Sequence, residues 1–315
     1  MTTGNLSLGE EIQNGNLEKI RDHWKKEATS WKKKYFIFVE GKVDQRLIWK
    51  LRIEHASPIR CDGKEMVRLA VEDAKKVLQE PGWQFQEIRV VGLVDRDADE
   101  VIPEGCIPTD LWDIEATLSL SGATFQDFSA EVHEKWTDAF HNIVNGESLA
   151  NSIEQAALQL GAFRLLAHRG QLSCAGSHVK PSFSDSEEIR SFCFESGGIV
   201  NFKLRSFVKR KLKNLAHKNG RGRFSREDLS EVVTQITGLT NKFQASSTMK
   251  SNIHGKDLLN LIFTFAQKHL GTKESSDEET KKDQERFVFD LIDRVSETSR
   301  IEDIEFVKQI KAYFK

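Results

Sequence analysis

Two stretches decide the fold that the sequence predicts. YFIFVEG occupies residues 35–41, and EIRVVGLVDRDAD occupies residues 87–99. Each contains a continuous aromatic and β-branched run, which is typical of a strand buried on both faces. Helical patterns follow at 43–51 and 64–79, with a short strand near Ile59 between them. This alternation indicates βαβ units and an α/β fold, with a mostly parallel sheet flanked by helices.

The rest of the chain reads as mainly helical. We predict an N-terminal helical segment at 1–33, an α/β domain at 34–125 and a mainly helical C-terminal domain at 126–315. Two short stretches, 191–194 and 198–202, are ambiguous between strand and loop.

Bulk composition excludes several classes of protein. The 315 residues hold 46 Lys and Arg against 48 Asp and Glu, so the net charge of −2 argues against a uniformly basic nucleic-acid coat. The four cysteines form no C-x-x-C pair, and no histidine pair has i, i+4 spacing, which argues against zinc. The sequence contains no P-loop motif. It also has no signal-peptide pattern and no apolar run of about 20 residues, so we expect a cytoplasmic protein without a membrane span.

Three acidic residues follow the two best strands. Glu40 ends the first, and Asp95 and Asp97 follow the second. Ligand sites of open parallel sheets lie at such strand ends, and close carboxylates repel unless a cation sits between them. Oxygen ligands favour Mg²⁺ or Mn²⁺, which can activate water and neutralise a phosphate. The alternative is that these are ordinary solvated acids.

These motifs resemble a known family. FIFVEGKVD (36–44) followed by VVGLVDRDAD (90–99) is similar to the TOPRIM domain of topoisomerases, primases, recombination mediators and OLD-type nucleases. TDLWDIEATL (109–118), with a weaker likeness at HGKDLL (254–259), resembles more narrowly the TOPRIM toxin subunits of PARIS anti-phage defence systems. The resemblance covers roughly residues 34–120.

The resemblance implies roles for four acids. Glu40 matches the TOPRIM glutamate, a metal ligand or general acid/base, while Asp95 and Asp97 match the metal-binding pair. Glu115, two residues after Asp113, matches an acid that completes the metal shell. An acid that opens a helix is also favoured by the helix dipole, which is the alternative for Glu115.

Other polar residues near these motifs have plainer interpretations. We expect Asp44 to be a helix-start acid, Asp99 a surface acid and Lys42 a solvated lysine. His254 is expected to enter a helix whose first turn contains Asp257.

The chemistry that the resemblance implies is phosphodiester cleavage. Tyr35 lies inside a strand and Tyr313 near the C-terminus, so neither suits the covalent intermediate of a topoisomerase. The family implies a Mg²⁺-dependent hydrolase that acts as an endoribonuclease toxin, with tRNA among its targets. It also implies an ABC-type ATPase partner that holds the toxin inactive, and a homodimer when the toxin is free.

A basic stretch supplies a candidate nucleic-acid surface. Residues 196–226 carry ten basic residues and no acid, and an apolar helical stripe leaves the charges on an outer face. The alternative is a solvated face or a dock for an acidic partner. The candidate contacts are Lys203, Arg205, Lys209, Arg210, Lys213, Lys218, Arg221 and Arg223.

Two other functions remain open from the sequence. A strand ending in D-x-D also opens the site of HAD-like phosphatases, although Ala98 stands where that family has Thr or Val. A non-catalytic adaptor subunit of a defence complex is the other alternative, and the acidic segment 274–305 would suit that role.

Overall fold

The computed structural model describes residues 8–30, 33–81, 87–97, 101–120, 147–174, 177–178, 189, 191–196, 199–218, 224–246, 249–270, 282, 289, 293 and 299–315. The chain forms two compact units, one of Met1–Asp110 with Phe289–Lys315 and the other of Leu111–Val288. The C-terminal segment therefore belongs with the first sheet, although the sequence grouped it with the helical half.

The first unit follows the predicted alternation of strands and helices. Its elements are α1 (Leu8–Ser30), β1 (Tyr35–Val39), α2 (Lys42–Lys50), β2 (Ala56–Arg60), α3 (Lys64–Leu78), β3 (Arg89–Val94), β4 (Cys106–Pro108) and the C-terminal helix α9 (Glu305–Tyr313). The short strand β4 is the one element here that the sequence did not mark, since it is three residues long and ends in proline.

The four strands form one parallel sheet in the order β2-β1-β3-β4. An α/β fold with a parallel sheet flanked by helices is thereby confirmed. Val39 pairs with Leu93 at the last position of β1, so the carboxyl ends of β1 and β3 meet at one edge. Parallel neighbours need crossover connections, which α2 and α3 provide here.

The core of the first unit explains the apolar character of both strands. Phe36 and Phe38 of β1 are fully buried and pack in one cluster with Trp24 of α1 and Val67 of α3. Gly92 lets β3 approach its neighbours, because a Cβ there would lie 2.5 Å from the Cys106 sulfur.

Helix α9 is tied to the sheet by polar contacts. The Asp110 carboxylate accepts the backbone N–H groups of Glu305 and Phe306, both at 2.8 Å. The Tyr313 hydroxyl donates to the Val90 carbonyl at 2.9 Å. Capping of a helix start by a side chain so distant in sequence explains why the sequence did not reveal this association.

The described residues of the second unit are mainly helical. Its elements are α4 (Ile114–Leu120), α5 (Glu147–His168), β5 (Ser173–Cys174), β6 (Ser177–His178), β7 (Cys193–Ser196), β8 (Ile199–Phe202), α6 (Leu204–Lys218), α7 (Arg226–Gln244), a 3₁₀ turn (Met249–Asn252) and α8 (Gly255–Leu270). The antiparallel pair β7 and β8 resolves the two ambiguous stretches as strands. In the described parts of the chain, no helix has the length and apolar character to cross a membrane.

Candidate functional site

The structure brings Glu40 and Asp95 together at the carboxyl edge of the sheet. Glu40 directly follows β1, and Asp95 directly follows β3. The backbone N–H of Asp95 donates to Glu40 Oε1 at 2.8 Å. This contact fixes the glutamate side chain across the ends of two adjacent parallel strands, which is where ligands bind in open α/β sheets.

The end of β2 reaches the same edge. The N–H of Gly63 donates to the Glu40 carbonyl at 3.2 Å, and Gly63 adopts a φ of +119°, which disfavours any other residue. Lys64 follows, and its Nζ donates to the Asp95 carbonyl at 2.5 Å and to Asp97 Oδ2 at 3.1 Å. The sequence interpretation missed Lys64, although its place just after a third strand end was the available signal.

Asp97 sits in a turn that is held from two sides. Its φ of +48° is left-handed, a conformation that aspartate tolerates better than most residues. Between the two aspartates, the Arg96 N–H donates to Thr109 Oγ1 and Arg96 Nε donates to the Thr109 carbonyl, both at 3.0 Å. Lys64 and Thr109 therefore set the geometry of the D-x-D turn.

The neighbouring polar residues have structural roles. Asp44 is buried in the first turn of α2, and its Oδ2 accepts the Gly41 N–H at 2.6 Å. The prediction of a helix-start acid at Asp44 is confirmed. Lys42 is exposed, as expected. Asp99 lies outside the described residues.

The donor chemistry at this edge suits a hard divalent cation. Glu40, Asp95 and Asp97 offer carboxylate oxygens, the ligand type that Mg²⁺ and Mn²⁺ prefer. Within the described ranges, however, no group of three His, Cys, Asp or Glu side chains is arranged to hold a metal. In this arrangement the Lys64 ammonium is the positive charge beside Asp97. The donor set thus fits Mg²⁺ in kind, with Glu40, Asp95 and Asp97 as the residues that would hold it.

Glu115 belongs to the second unit, where it is buried in the first turn of α4. Asp113 just before it is also buried, and its Oδ1 accepts the N–H groups of Ala116 at 2.7 Å and Gly255 at 3.1 Å. Burial and the charge of Glu115 raise the pKa of Asp113 well above its usual range. One carboxyl therefore caps the starts of both α4 and α8.

The start of α8 carries a second buried polar cluster. Arg164 of α5 donates to both carboxylate oxygens of Asp257, at 2.5 and 2.6 Å. Burial lowers the pKa of His254 to about 3, so the imidazole is neutral, and its Nδ1 accepts the Asp257 N–H at 3.4 Å. His254 as a helix-entry residue and Asp257 in the first turn are both confirmed.

Residues 204–218 of the basic stretch form α6, whose cations mostly face outward. Leu204, Phe207, Val208 and Leu212 are buried on the opposite face. Lys211 departs from the expected pattern, because it is buried with its ammonium 5.5 Å from the centre of the Phe207 ring. The exposed cations in or next to the helix are Lys203, Arg205, Lys209, Arg210 and Lys213. The Lys218 side chain and residues Arg221 and Arg223 lie outside what the structure describes.

Comparisons with family models, with curated proteins and with solved structures find no match to this chain.

Proposed function

We propose that this protein is a Mg²⁺-dependent nuclease of the TOPRIM class that hydrolyses phosphodiester bonds. The observation that carries the proposal is the contact between Glu40 and the Asp95 N–H at the joined carboxyl ends of β1 and β3. A glutamate and a D-x-D turn at that edge are the two motifs on which the TOPRIM resemblance depends.

Four residues at the carboxyl edge have distinct roles in this proposal. Glu40, Asp95 and Asp97 would hold Mg²⁺, which when bound supplies charge neutralisation at the phosphate and an acidified water. Glu40, fixed by the Asp95 N–H, is placed to take a proton from the attacking water. Lys64 holds the Asp95 carbonyl and the Asp97 carboxylate, so it keeps the turn in place and adds positive charge where a phosphate would approach.

The charge pattern supports a nucleic-acid substrate, and the TOPRIM resemblance favours RNA. Five exposed cations in or next to α6 offer sequence-independent contacts to phosphates. Replacing Lys203, Arg205, Lys209 and Lys213 by alanine is expected to weaken RNA binding and to lower the slope of log K against log salt by about 0.7 per lost contact. Unchanged salt dependence in the folded variant would remove α6 from the substrate surface.

The biological setting follows from the resemblance alone. We propose a cytoplasmic toxin effector of anti-phage defence, with tRNA as the target class, an ABC-type ATPase as its inhibitory partner and a homodimer as its free form. Co-expression with candidate ATPases and size analysis of the complex would test the partner.

The experiment for the nuclease compares wild type with Glu40→Gln, which removes the charge and keeps the shape. Both are expressed in cells and RNA ends are sequenced, with Glu80→Gln, an exposed acid just after α3, as the matched control. New ends should appear with wild type and the control and be absent with Glu40→Gln. New ends from a folded Glu40→Gln variant would refute the site.

A non-catalytic adaptor is the second candidate, and the Lys64 contacts favour it. A lysine beside Asp97 partly satisfies the carboxylate without a metal. Calorimetric titration with Mg²⁺ separates the two, because the nuclease must bind the ion through Glu40 and an adaptor need not. Absence of both Mg²⁺ binding and cleavage would favour the adaptor.

A further inference from the structure

A pocket of about 240 Å³ lies at the opposite edge of the sheet from the carboxylates. Lys33 precedes β1, Trp49 lies in the last turn of α2, and Arg52 and His55 belong to the segment that joins α2 to β2. Ile48 and Pro58 also line the pocket. The pocket is therefore at the amino ends of β1 and β2, about 16 Å from the carboxyl edge by the length of β1.

The wall of this pocket presents an exposed aromatic ring. Trp49 is 53% exposed, whereas the other described tryptophans, Trp24 and Trp112, are buried in cores. An indole at a pocket wall offers a flat apolar face that stacks on other aromatic rings.

Basic side chains line the same pocket as this ring. Among the described residues, neither the Arg52 guanidinium nor the Lys33 ammonium has a hydrogen-bonded or ion-paired side chain. The one acid of the lining, Glu54, lies with its carboxylate 3.3 Å from His55 Nε2. The pocket thus combines an aromatic face with two cations that pair with no acid in the part of the chain that the structure describes, which is complementary to an aromatic anion.

The turn that carries Arg52 and His55 is fixed before any ligand arrives. The N–H groups of Lys34 and Tyr35 both donate to the His55 carbonyl, at 3.0 and 3.2 Å. Arg52 and His55 adopt φ values of +48° and +58°, although glycine or asparagine would do so with less strain. Strained residues with functional side chains concentrate at binding sites, and a rigid turn reduces the entropy lost on binding.

We propose that this pocket binds a nucleotide, with its base stacked on Trp49 and its phosphate held by Arg52 and Lys33. The volume is below the usual range of about 300–1,000 Å³ for ligand pockets, so it suits one nucleotide and not a large cofactor or a peptide. The site is separate from the proposed nuclease centre and does not depend on it.

Calorimetry with AMP, adenosine and inorganic phosphate tests the proposal. AMP should bind wild type more tightly than adenosine or inorganic phosphate does. Trp49→Ala should weaken AMP binding about 5- to 150-fold, which corresponds to the loss of one base–aromatic stack. Arg52→Gly, which suits the left-handed backbone, should weaken AMP binding and leave adenosine binding unchanged. Lys76→Ala, an exposed cation on α3, and Glu40→Gln are the controls that should bind AMP normally.

Three results would overturn the proposal. The first two are the absence of saturable AMP binding to folded wild type and equal AMP affinity in wild type and Trp49→Ala. Thermal unfolding of each variant verifies its fold. Because Trp49 is exposed, we expect Trp49→Ala to remain folded. Sedimentation that shows a dimer lost in Trp49→Ala, without AMP binding, would assign the pocket to a second copy of the chain and refute the nucleotide.

Discussion

Replacing Arg164 by methionine should strongly destabilise the second unit. Methionine retains the unbranched stem and the helix propensity of arginine but removes the guanidinium that binds both oxygens of Asp257. The Asp257 side chain is 1% exposed, so water cannot replace the lost partner. The ion pair between Arg164 and Asp257 lies in the first turn of α8, next to His254.

The expected magnitude follows from the burial of the carboxylate. Removing one partner of a buried ion pair costs about 3–5 kcal/mol, because the other charge stays buried and unpaired. The charge of Lys211, buried nearby, also lowers the pKa of Asp257, and it remains in the variant. We therefore expect a loss at the lower end, about 3 kcal/mol at pH 7.

The pH dependence of this loss has a definite sign. Burial alone would raise the pKa of Asp257, but Arg164 and other charges bring it below its usual value. In wild type this carboxyl contributes stability above its unfolded pKa of about 3.9, and that contribution is lost as the pH falls through the folded pKa. In Arg164→Met the guanidinium no longer offsets the effect of burial, so the pKa of Asp257 in the folded state rises. The deficit relative to wild type should therefore shrink as the pH falls towards 4.

Urea unfolding at pH 7 and pH 4 measures both effects. Arg68→Met is the matched control, because Arg68 also pairs with two carboxylates, Glu65 and Glu72, but on the surface of α3. The control should cost about 0–1 kcal/mol. A loss below about 1 kcal/mol for Arg164→Met, or a deficit that grows towards pH 4, would refute the reasoning.

Three further predictions concern backbone contacts and the carboxylate edge. Gly255→Ala should destabilise the protein by about 1–3 kcal/mol in urea unfolding, because the new Cβ would lie 2.2 Å from the Ala116 backbone nitrogen. Its control is Gly238→Ala, which lies in open space on α7 and should stabilise the protein by about 0.5–1 kcal/mol. Asp110→Ala removes the acceptor for two N–H groups of α9 and should cost about 1–2 kcal/mol, so an unchanged urea midpoint would exclude this capping role. Lys64→Met should change stability by less than about 1 kcal/mol yet lower RNA cleavage about tenfold or more, and full activity would remove the lysine from the site.

The sequence predicted the parallel sheet because its strands are buried on both faces. A continuous run such as 35–39 has no amphipathic alternation, so the pattern indicates both the strand and its central place in the sheet. The same pattern located the carboxyl edge, where the structure joins Glu40 to Asp95.

The remaining features depend on contacts between distant parts of the chain. Lys64 reaches Asp97 from 33 residues away, and the carboxyl of Asp113 meets the N–H of Gly255 from 142 residues away. No local periodicity encodes such pairs. The sequence also did not predict the pocket beside Trp49. The apolar positions of α2 identify the buried face of the helix, but they do not reveal a pocket beside its exposed face.

Cleavage of RNA by purified protein, with and without Mg²⁺, tests the central claim most directly. Wild type and a Glu80→Gln control should cleave in Mg²⁺ and stop when EDTA is added, while Glu40→Gln, with the same urea midpoint as wild type, should lose about 100-fold or more of the rate. Equal cleavage by wild type and Glu40→Gln, or equal rates with and without EDTA, would contradict a metal-dependent nuclease at the edge formed by β1 and β3.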